Sequence, residues 1–193
     1  MVSTDALNSS KLEGVTLSLN HVPRCATSPE YIRALEAFGV GAFTPAQVAA
    51  KCERVRRLIE ARPLAARPHL SVVIPAHREE HYILGTLRSL AEQTYRDFEV
   101  IVVCNGEPAG SPTQRIAEAC GVRVVNDPAP GISRARQTGL MAARGDIVVS
   151  TDADTLHPRG WLSAIAGVMR DERVICGAGL LRSTSSRYAG TAW

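Results

Sequence analysis

Short apolar segments alternate regularly with helical segments from residue 69 to about residue 169. Strands are expected at residues 70–74, 99–103, 122–125 and 147–150, and helices at 83–92, 113–120, 133–143 and 158–169. Uniformly apolar strands joined by helical crossovers are typical of a parallel sheet that is covered on both faces and has right-handed connections. The sequence therefore predicts an α/β fold in which ligands bind at the carboxyl ends of the strands.

A helical extension precedes this alternating region. The segment Thr44-Pro45-Ala46-Gln47 combines an N-cap hydroxyl, a proline at the first helical position and a capping-box glutamine. Apolar residues then recur at helical spacing, so this helix is expected to end near Arg62. A shorter helix is expected at residues 28–38. We therefore divide the chain into an extension with a linker, residues 1–68, and a ligand-binding domain, residues 69–193.

The composition of the 193-residue chain is that of a soluble globular protein, with 45% hydrophobic and 21% charged residues. A net charge of +3 and dispersed arginines argue against nucleic acid as a partner. Five cysteines without C-x-x-C spacing indicate reduced, mostly buried thiols rather than a disulfide framework or a zinc site. No leader-like start or membrane-length apolar stretch is present, so we expect a cytoplasmic location, with peripheral membrane or partner-chain association left open.

Two carboxylates, Asp152 and Asp154, follow the apolar strand at residues 147–150. In a strand, side chains two residues apart lie on the same face, so where this strand ends both acids can point at one position. Two hard oxygen donors suit Mg²⁺ or Mn²⁺ that carries a diphosphate, with phosphate oxygens and water completing the coordination. Aspartate is also common in turns, and without its context the pair fits either interpretation.

Polar residues also follow the first two predicted strands. Pro75, Ala76 and His77 come after the first strand, with Glu79 two residues further on. Proline is expected to stop sheet pairing there, and Glu79 could accept hydrogen bonds from a base or a ribose. The second strand is followed by Asn105, whose amide could pair with the edge of a nucleobase. Taken singly, these residues also fit helix capping and an ordinary Asn-Gly turn.

The helix after the third strand begins with a segment suited to phosphate. Residues 131–139 place a glycine, a capping serine (Ser133) and two arginines (Arg134 and Arg136) at the helix N-terminus. Backbone N–H groups there favour anions, and arginine binds phosphate through paired hydrogen bonds. Either arginine could instead be a solvent-exposed surface residue. Four strand ends of one sheet thus carry residues that suit nucleotide, phosphate and metal chemistry.

Taken in order, these segments resemble the family 2 glycosyltransferases, which have the GT-A fold, over roughly residues 69–181. The resemblance is carried by residues 71–76 with 79–80, 93–103, 131–139 and 145–155, followed by Pro158 and Trp161. It implies a UDP- or GDP-linked sugar as donor, hexosyl transfer of the inverting type, and Mg²⁺ or Mn²⁺ as cofactor. The residues that it implies around the donor are Pro75, Ala76, His77, Glu79, Asn105, Arg136 and Asp152, and those on the metal are Asp154 and Asp152.

The chain also departs from the family pattern. His77-Arg78 stands where the family usually has Tyr-Asn, and Cys104-Asn105 replaces an Asp-Asp pair, which leaves the base preference open. The family's general base is an acid well downstream, whereas 39 residues follow Asp154 here. Of these, Asp171 and Glu172 are expected in the turn after a helix. The general base therefore stays unknown, and the domain is expected to stop before the acceptor-binding half.

Two alternatives to a complete glycosyltransferase remain open. The chain could be a nucleotide-sugar-binding module or fragment that needs another chain for transfer. A remote alternative is a haloacid dehalogenase-like phosphatase, because Asp152-Ala153-Asp154-Thr155 also matches the D-x-D-x-T motif of that class. That motif belongs on the first core strand and requires a lysine downstream, and residues 156–193 contain no lysine.

Overall fold

The structure is a computed structural model that describes residues 44–62 and 68–179. The strands are β1 (Leu70–Ala76), β2 (Phe98–Asn105), β3 (Arg123–Asp127) and β4 (Ile147–Ser150). The helices are α1 (Pro45–Glu60), α2 (Ile83–Ala91), α3 (Pro112–Ala119), α4 (Ile132–Ala142) and α5 (Trp161–Val168). Each strand and helix expected between residues 69 and 169 is present, whereas the helix predicted at residues 28–38 lies outside the described residues. None of the described helices is long and apolar enough to cross a membrane.

The four strands form one parallel sheet in the order β3-β2-β1-β4. Val72 of β1 pairs with Val100 of β2 on one side and with Val149 of β4 on the other. The chain therefore builds the sheet outward from β1 through β2 to β3, then returns to the opposite side of β1. A reversal of this kind opens a crevice between the carboxyl ends of the two strands that flank it, here β1 and β4.

Helices cover both faces of the sheet, and the apolar side chains of β1 alternate between the faces. On one face, Val72 and Ile74 join a large hydrophobic cluster with residues of α1, α2, α3 and α5. On the other face, Val73 clusters with Ala135 of α4. Gly139 of α4 lies so close to the sheet that a Cβ atom in its place would be 2.2 Å from Val73 Cγ1. The predicted α/β sheet with helices on both faces is confirmed.

The sequence predicted that sheet pairing of the first strand stops at Pro75, and this prediction is wrong. The strand continues to Ala76, which pairs with Cys104 of β2. The reason lies in the direction of the backbone groups. The carbonyl oxygens of His69 and Val73 accept hydrogen bonds from the β4 side, so alternate residues, and therefore Pro75, face that side. Pairing between residues of β1 and β4 ends at Val73, so the missing N–H of the proline removes no ladder hydrogen bond.

Helix α1 has the predicted capping box and packs into the same core as the sheet. The Thr44 hydroxyl accepts a hydrogen bond from the N–H of Gln47, whose side chain accepts one from the N–H of Thr44. Val48, Cys52 and Val55 are buried in the cluster that contains the apolar side chains of β1 and β2. The boundary at residue 68 stays a prediction, but α1 shares one hydrophobic core with the strands.

The described cysteines are free thiols and, as predicted, mostly buried. Cys176 is the exposed one. Burial raises the pKa of the Cys104 thiol to about 12, with smaller contributions from nearby glutamates. The buried set comprises Cys52, Cys104 and Cys120. Cys25 lies outside the described residues.

A buried hydrogen-bond network joins the amino-terminal edge of the sheet, at the opposite end of the strands from the crevice. The Ser71 hydroxyl donates to the Glu99 carboxylate at 2.7 Å and accepts from the N–H of Gly145 at 2.8 Å. Glu99 also accepts from the N–H of Arg144 at 2.8 Å. A Cβ atom on Gly145 would lie 2.8 Å from the backbone of β1, so glycine permits this close approach. These contacts fix where β4 begins.

Candidate functional site

The segment that follows β1 is bound to the ends of β2 and α3. His77 Nδ1 donates to the backbone oxygen of the last residue of β2 at 2.7 Å. Arg78 has a left-handed backbone, with φ 58°, and its N–H donates to the Glu107 carboxylate at 2.6 Å. The N–H of Glu79 donates to the Thr113 hydroxyl at 3.0 Å. The segment after β1 is therefore held at the carboxyl-terminal edge of the sheet, where the sequence predicted it.

Glu79 is a half-buried carboxyl group at this edge, and its pKa is raised to about 7. The largest cause is burial, which disfavours the charged form. The negative charge of Asp154 and then those of Glu80 and Glu107 raise the pKa further, whereas His77 opposes the shift. Because the charge of Asp154 acts on Glu79, the segment after β1 and the acidic pair after β4 share one electrostatic environment.

Asn105 lies buried at the end of β2, where its amide holds the loop before α4. Its Nδ2 donates to the backbone oxygens of Ala129 at 3.3 Å and Gly131 at 3.0 Å. The following Gly106 has φ 65°, and a Cβ atom there would lie 3.0 Å from Pro130 Cβ. The end of β2 and the loop before α4 are therefore locked together. The sequence also predicted that the Asn105 amide contacts a nucleobase. That contact stays a prediction, in addition to the structural role seen here.

The two arginines near the start of α4 have different partners. Arg134 Nε donates to both carboxylate oxygens of Asp127, at 2.9 and 3.1 Å, and the Thr138 hydroxyl donates to the same group at 2.7 Å. Asp127 ends β3 and is 3% exposed, and its hydrogen bond with Arg134 is the main cause that lowers its pKa. Sequence reasoning missed this carboxylate, although its position at a strand end was a usable signal. Arg134 is thus engaged within the fold.

The cap of α4 also differs from the expectation. Gly131 is the N-cap residue, and its φ of 133° is one that glycine adopts readily. Ser133 lies inside the first turn and makes no capping hydrogen bond, so the assignment of a capping serine is wrong. The first-turn N–H groups of α4 therefore have no side-chain acceptor from the cap, which is the arrangement that suits an anion at a helix N-terminus.

Arg136 joins α4 to the segment after β4. Its Nη2 atom lies 3.0 Å from Asp152 Oδ1, and the two side chains are 46% and 47% exposed. An ion pair with this much exposure contributes little to stability. Either side chain can therefore leave this ion pair to bind a ligand. Arg136 could bind a phosphate, and Asp152 could bind a hydroxyl group or a cation.

Asp154 is an exposed carboxylate two residues beyond Asp152. Strand β4 ends at Ser150, so both acids lie past the strand rather than within it. Ala153 between them is 3% exposed, so the side chains still alternate between the core and the solvent. The spacing expected of a strand is therefore retained in the turn, and both acids lie on its outer side.

No group of three or more histidine, cysteine or acidic side chains within the described residues could hold a metal ion by itself. A divalent cation would take Asp154 and Asp152 as protein ligands, and oxygens of a bound diphosphate and of water would complete its coordination. The residues present fit this requirement. They offer hard oxygen donors, and Asp154 forms no ion pair with a described residue, while its negative charge contributes to the raised pKa of Glu79.

A parallel sheet with a switch-point crevice lined by polar groups defines an α/β ligand-binding domain. Within that class, the sequence matches the family described as "Glycosyl transferase family 2" over residues 71–191. The chain belongs to this family, so the resemblance seen in the sequence is confirmed, as is the GT-A type of α/β fold. The acidic pair follows the fourth strand of the sheet, whereas the phosphatase alternative requires its D-x-D-x-T motif on the first strand.

The chain is similar to curated glycosyltransferases over part of their length. It is 29% identical over 124 residues to the uncharacterized glycosyltransferase EpsJ of Bacillus subtilis, an alignment that covers 62% of this chain and 36% of that protein. It is 28% identical over 90 residues to the UDP-Glc:alpha-D-GlcNAc-diphosphoundecaprenol beta-1,3-glucosyltransferase WfgD of Escherichia coli, covering 45% of this chain and 35% of that protein. The chain thus spans about a third of the length of these relatives.

Two solved structures are also similar to this chain. The S. aureus protein TarS 1-349 in complex with UDP-GlcNAc is 26% identical, with a TM-score of 0.47 over 59% of this chain and 37% of that one. The mannosyltransferase PcManGT from Pyrobaculum calidifontis in complex with GDP-Man and Mn²⁺ is 24% identical, with a TM-score of 0.48 over 85% of this chain and 44% of that one.

Proposed function

We propose that this domain binds a nucleotide-diphosphate sugar, UDP- or GDP-linked, together with Mg²⁺ or Mn²⁺ in the crevice between β1 and β4. It would thereby form the donor half of a glycosyl transfer site. The observation that carries the proposal is the meeting of three elements at this crevice. Arg136 of α4 contacts Asp152 at 3.0 Å, and Asp154 acts electrostatically on Glu79 after β1.

The donor would lie along the ends of the strands, with each element recognising one part of it. Pro75 and Ala76 are buried at the end of β1, and we assign them to the floor beneath the base, with the exposed His77 and the buried Asn105 beside it. Glu79 would accept a hydrogen bond from the ribose when it is ionised. The assigned residues are Pro75, Ala76, His77, Glu79 and Asn105 for the base and ribose, Arg136 for the diphosphate, and Asp152 for the ribose or the sugar.

The cation would be held by Asp154, with Asp152 as a second ligand. When bound, it would neutralise the charge of the departing diphosphate while an acceptor hydroxyl group attacks the anomeric carbon. Arg136 and the first turn of α4 would contribute positive potential to the same phosphates. Arg134 is not assigned to the donor, because its guanidinium is held by Asp127.

A second candidate is a donor-binding module that needs another chain for transfer. It is favoured by the position of Asp171, the first acid after Asp154 in the sequence. Asp171 lies beyond α5, and the hydrogen bond from Arg173 at 2.7 Å lowers the pKa of its carboxyl group, which makes it a weaker general base. Assays of donor hydrolysis and of transfer distinguish the two candidates when the chain is compared with a version extended by its downstream coding sequence. Activity in the extended version alone favours the module.

Calorimetric titration with UDP and with GDP, each with and without Mn²⁺, tests donor binding. The expected result is binding of at least one nucleotide with an affinity that rises when Mn²⁺ is present. Asp154→Asn should remove the Mn²⁺-dependent part, whereas the control Asp171→Asn should retain it. If neither nucleotide binds under either condition, the proposed function is wrong.

A further inference from the structure

Helix α2 carries a row of polar side chains on its buried face. Thr86, Ser89 and Gln93 are 0%, 8% and 2% exposed, and they lie three and four residues apart, so they share one face of the helix and its C-terminal extension. A polar group in the core is costly unless it forms hydrogen bonds. The hydrogen-bond partners of these three side chains therefore indicate their structural role.

All three side chains bind the backbone of the segment that follows β4. The Thr86 hydroxyl donates to the backbone oxygen of Ala153 at 2.6 Å. The Ser89 hydroxyl accepts from the N–H of His157 at 3.1 Å. Gln93 donates from Nε2 to the backbone oxygen of Pro158 at 2.7 Å and accepts at Oε1 from the N–H at the second residue of α5 at 3.0 Å. One face of α2 thus fixes four backbone groups over residues 153–162.

The same segment is also closed by contacts within itself. His157 is buried, its Nε2 lies 3.1 Å from the Thr151 hydroxyl, and its ring stacks on Trp161 with centroids 3.9 Å apart. Burial lowers the pKa of His157 to about 4, so the ring is neutral at neutral pH and can share a single hydrogen bond with the threonine. The segment between β4 and α5 is therefore held at both ends and in its middle.

The hydrogen bond from Thr86 falls on the residue between the two acids. With its carbonyl bound to α2 and its methyl group buried, Ala153 has little freedom to rotate. The directions of Asp152 and Asp154 depend on the backbone dihedral angles on either side of it. Fixing that one peptide group therefore restricts the directions in which the two aspartate side chains leave the backbone.

We propose that Thr86, supported by Ser89 and Gln93, is a positioning residue that holds Asp152 and Asp154 in the arrangement needed to bind the cation of the nucleotide diphosphate. This inference rests on the proposed function. None of the three side chains is assigned a contact with the ligand. Loss of a group that orients metal ligands typically weakens metal binding 10- to 100-fold.

The test uses Thr86→Val, which keeps the shape of the side chain and removes the donor, and Thr86→Ser, which restores the hydroxyl. Ser71→Ala is the matched control, because it removes a buried hydroxyl group with three hydrogen bonds at the far edge of the sheet. Mn²⁺ affinity is measured by electron paramagnetic resonance in the presence of UDP or GDP. Hydrogen exchange is measured by mass spectrometry over residues 151–162.

We expect Thr86→Val to weaken Mn²⁺ binding about 10-fold, to reduce the Mn²⁺-free nucleotide affinity by a smaller factor and to accelerate exchange over residues 151–162. Thr86→Ser should restore both properties, and Ser71→Ala should lower the unfolding temperature without altering Mn²⁺ affinity. If Thr86→Val does not fold, Ser89→Ala is the second variant, with the same expected direction. Wild-type Mn²⁺ affinity in a folded variant would overturn the positioning role while leaving the proposed function intact. Absence of Mn²⁺-dependent nucleotide binding in the wild-type protein would overturn both.

Discussion

The raised pKa of Glu79 predicts a specific dependence of stability on pH. In the folded protein this pKa is about 7, against 4.5 for an ordinary glutamate, because the carboxyl group is partly buried and lies near other acids, Asp154 foremost. Replacement by glutamine keeps the size of the side chain and removes its titration. The comparison of wild type with Glu79→Gln therefore isolates the contribution of this single proton.

The sign and size of the effect follow from proton linkage. Because the folded state binds this proton more tightly than the unfolded state, the contribution of Glu79 is fully present below pH 4.5 and is lost as the pH rises through about 7. The difference between the two pKa values corresponds to at most about 3 kcal/mol. Since the side chain is only half-buried, solvent screening reduces this to about 1–2 kcal/mol.

His157 acts in the opposite direction over an overlapping range. Burial lowers its pKa to about 4 from 6.5, so its contribution is full above pH 6.5 and is lost as the pH falls through about 4. Between pH 4.5 and 6.5 the effects of Glu79 and His157 on wild-type stability therefore oppose each other. The stability of wild type could therefore be constant with pH in this range although both groups titrate. The difference in stability between Glu79→Gln and wild type removes the contribution of His157 and reports on Glu79.

The assay is urea unfolding of wild type and Glu79→Gln between pH 4.5 and 8, with Glu118→Gln on the exposed side of α3 as the control. We expect the stability of Glu79→Gln relative to wild type to increase by about 1–2 kcal/mol from the lowest to the highest pH. The difference in the free energy of unfolding between the control and wild type should not show this increase with pH. A difference between Glu79→Gln and wild type that is constant with pH would refute the reasoning.

Three further predictions concern packing, ligand binding and thiol chemistry. Gly139→Ala should lower the free energy of unfolding by about 2 kcal/mol in urea, because a Cβ atom there overlaps Val73 Cγ1, whereas Gly160→Ala, which meets open space, should change it by less than about 0.5 kcal/mol. Arg136→Gln should weaken calorimetric nucleotide binding about 10-fold through loss of a charged hydrogen bond to phosphate, and equal affinity would contradict its assignment. Iodoacetamide should label Cys176 in the native protein within minutes, as read by peptide mapping, whereas labelling of the buried thiols at a similar rate would contradict the core described above. Those protected thiols are Cys52, Cys104 and Cys120.

The elements of the fold were predictable because their signals are local. Each strand is a short apolar run, and α1 is marked by Thr44, proline and Gln47 within four residues. The end of β1 was not predictable in the same way. Whether Pro75 stops the strand depends on where β4 stops pairing, and β4 lies some seventy residues further along the chain. No pattern near the proline carries that information.

The candidate site was predictable in outline for a similar reason. The strand ends carry the acids, the amide and the arginines, and parallel pairing brings strand ends together. The family resemblance assigned Arg136 to the donor, but the residues alone did not distinguish it from Arg134, because the two occupy the same helix turn and differ only in the carboxylates that they face. Arg134 meets Asp127 from β3, and Arg136 meets Asp152 after β4. The role of Thr86 was hidden likewise, since its partner is a backbone oxygen sixty-seven residues away.

A crystal structure of the chain with UDP or GDP and Mn²⁺, with anomalous scattering recorded above the manganese absorption edge, tests the central claim most directly. We predict that the diphosphate lies in the crevice between β1 and β4 and that one manganese peak lies within coordination distance of Asp154 and of a phosphate oxygen. A nucleotide bound elsewhere on the domain, or a manganese peak that contacts neither Asp152 nor Asp154, would contradict the account.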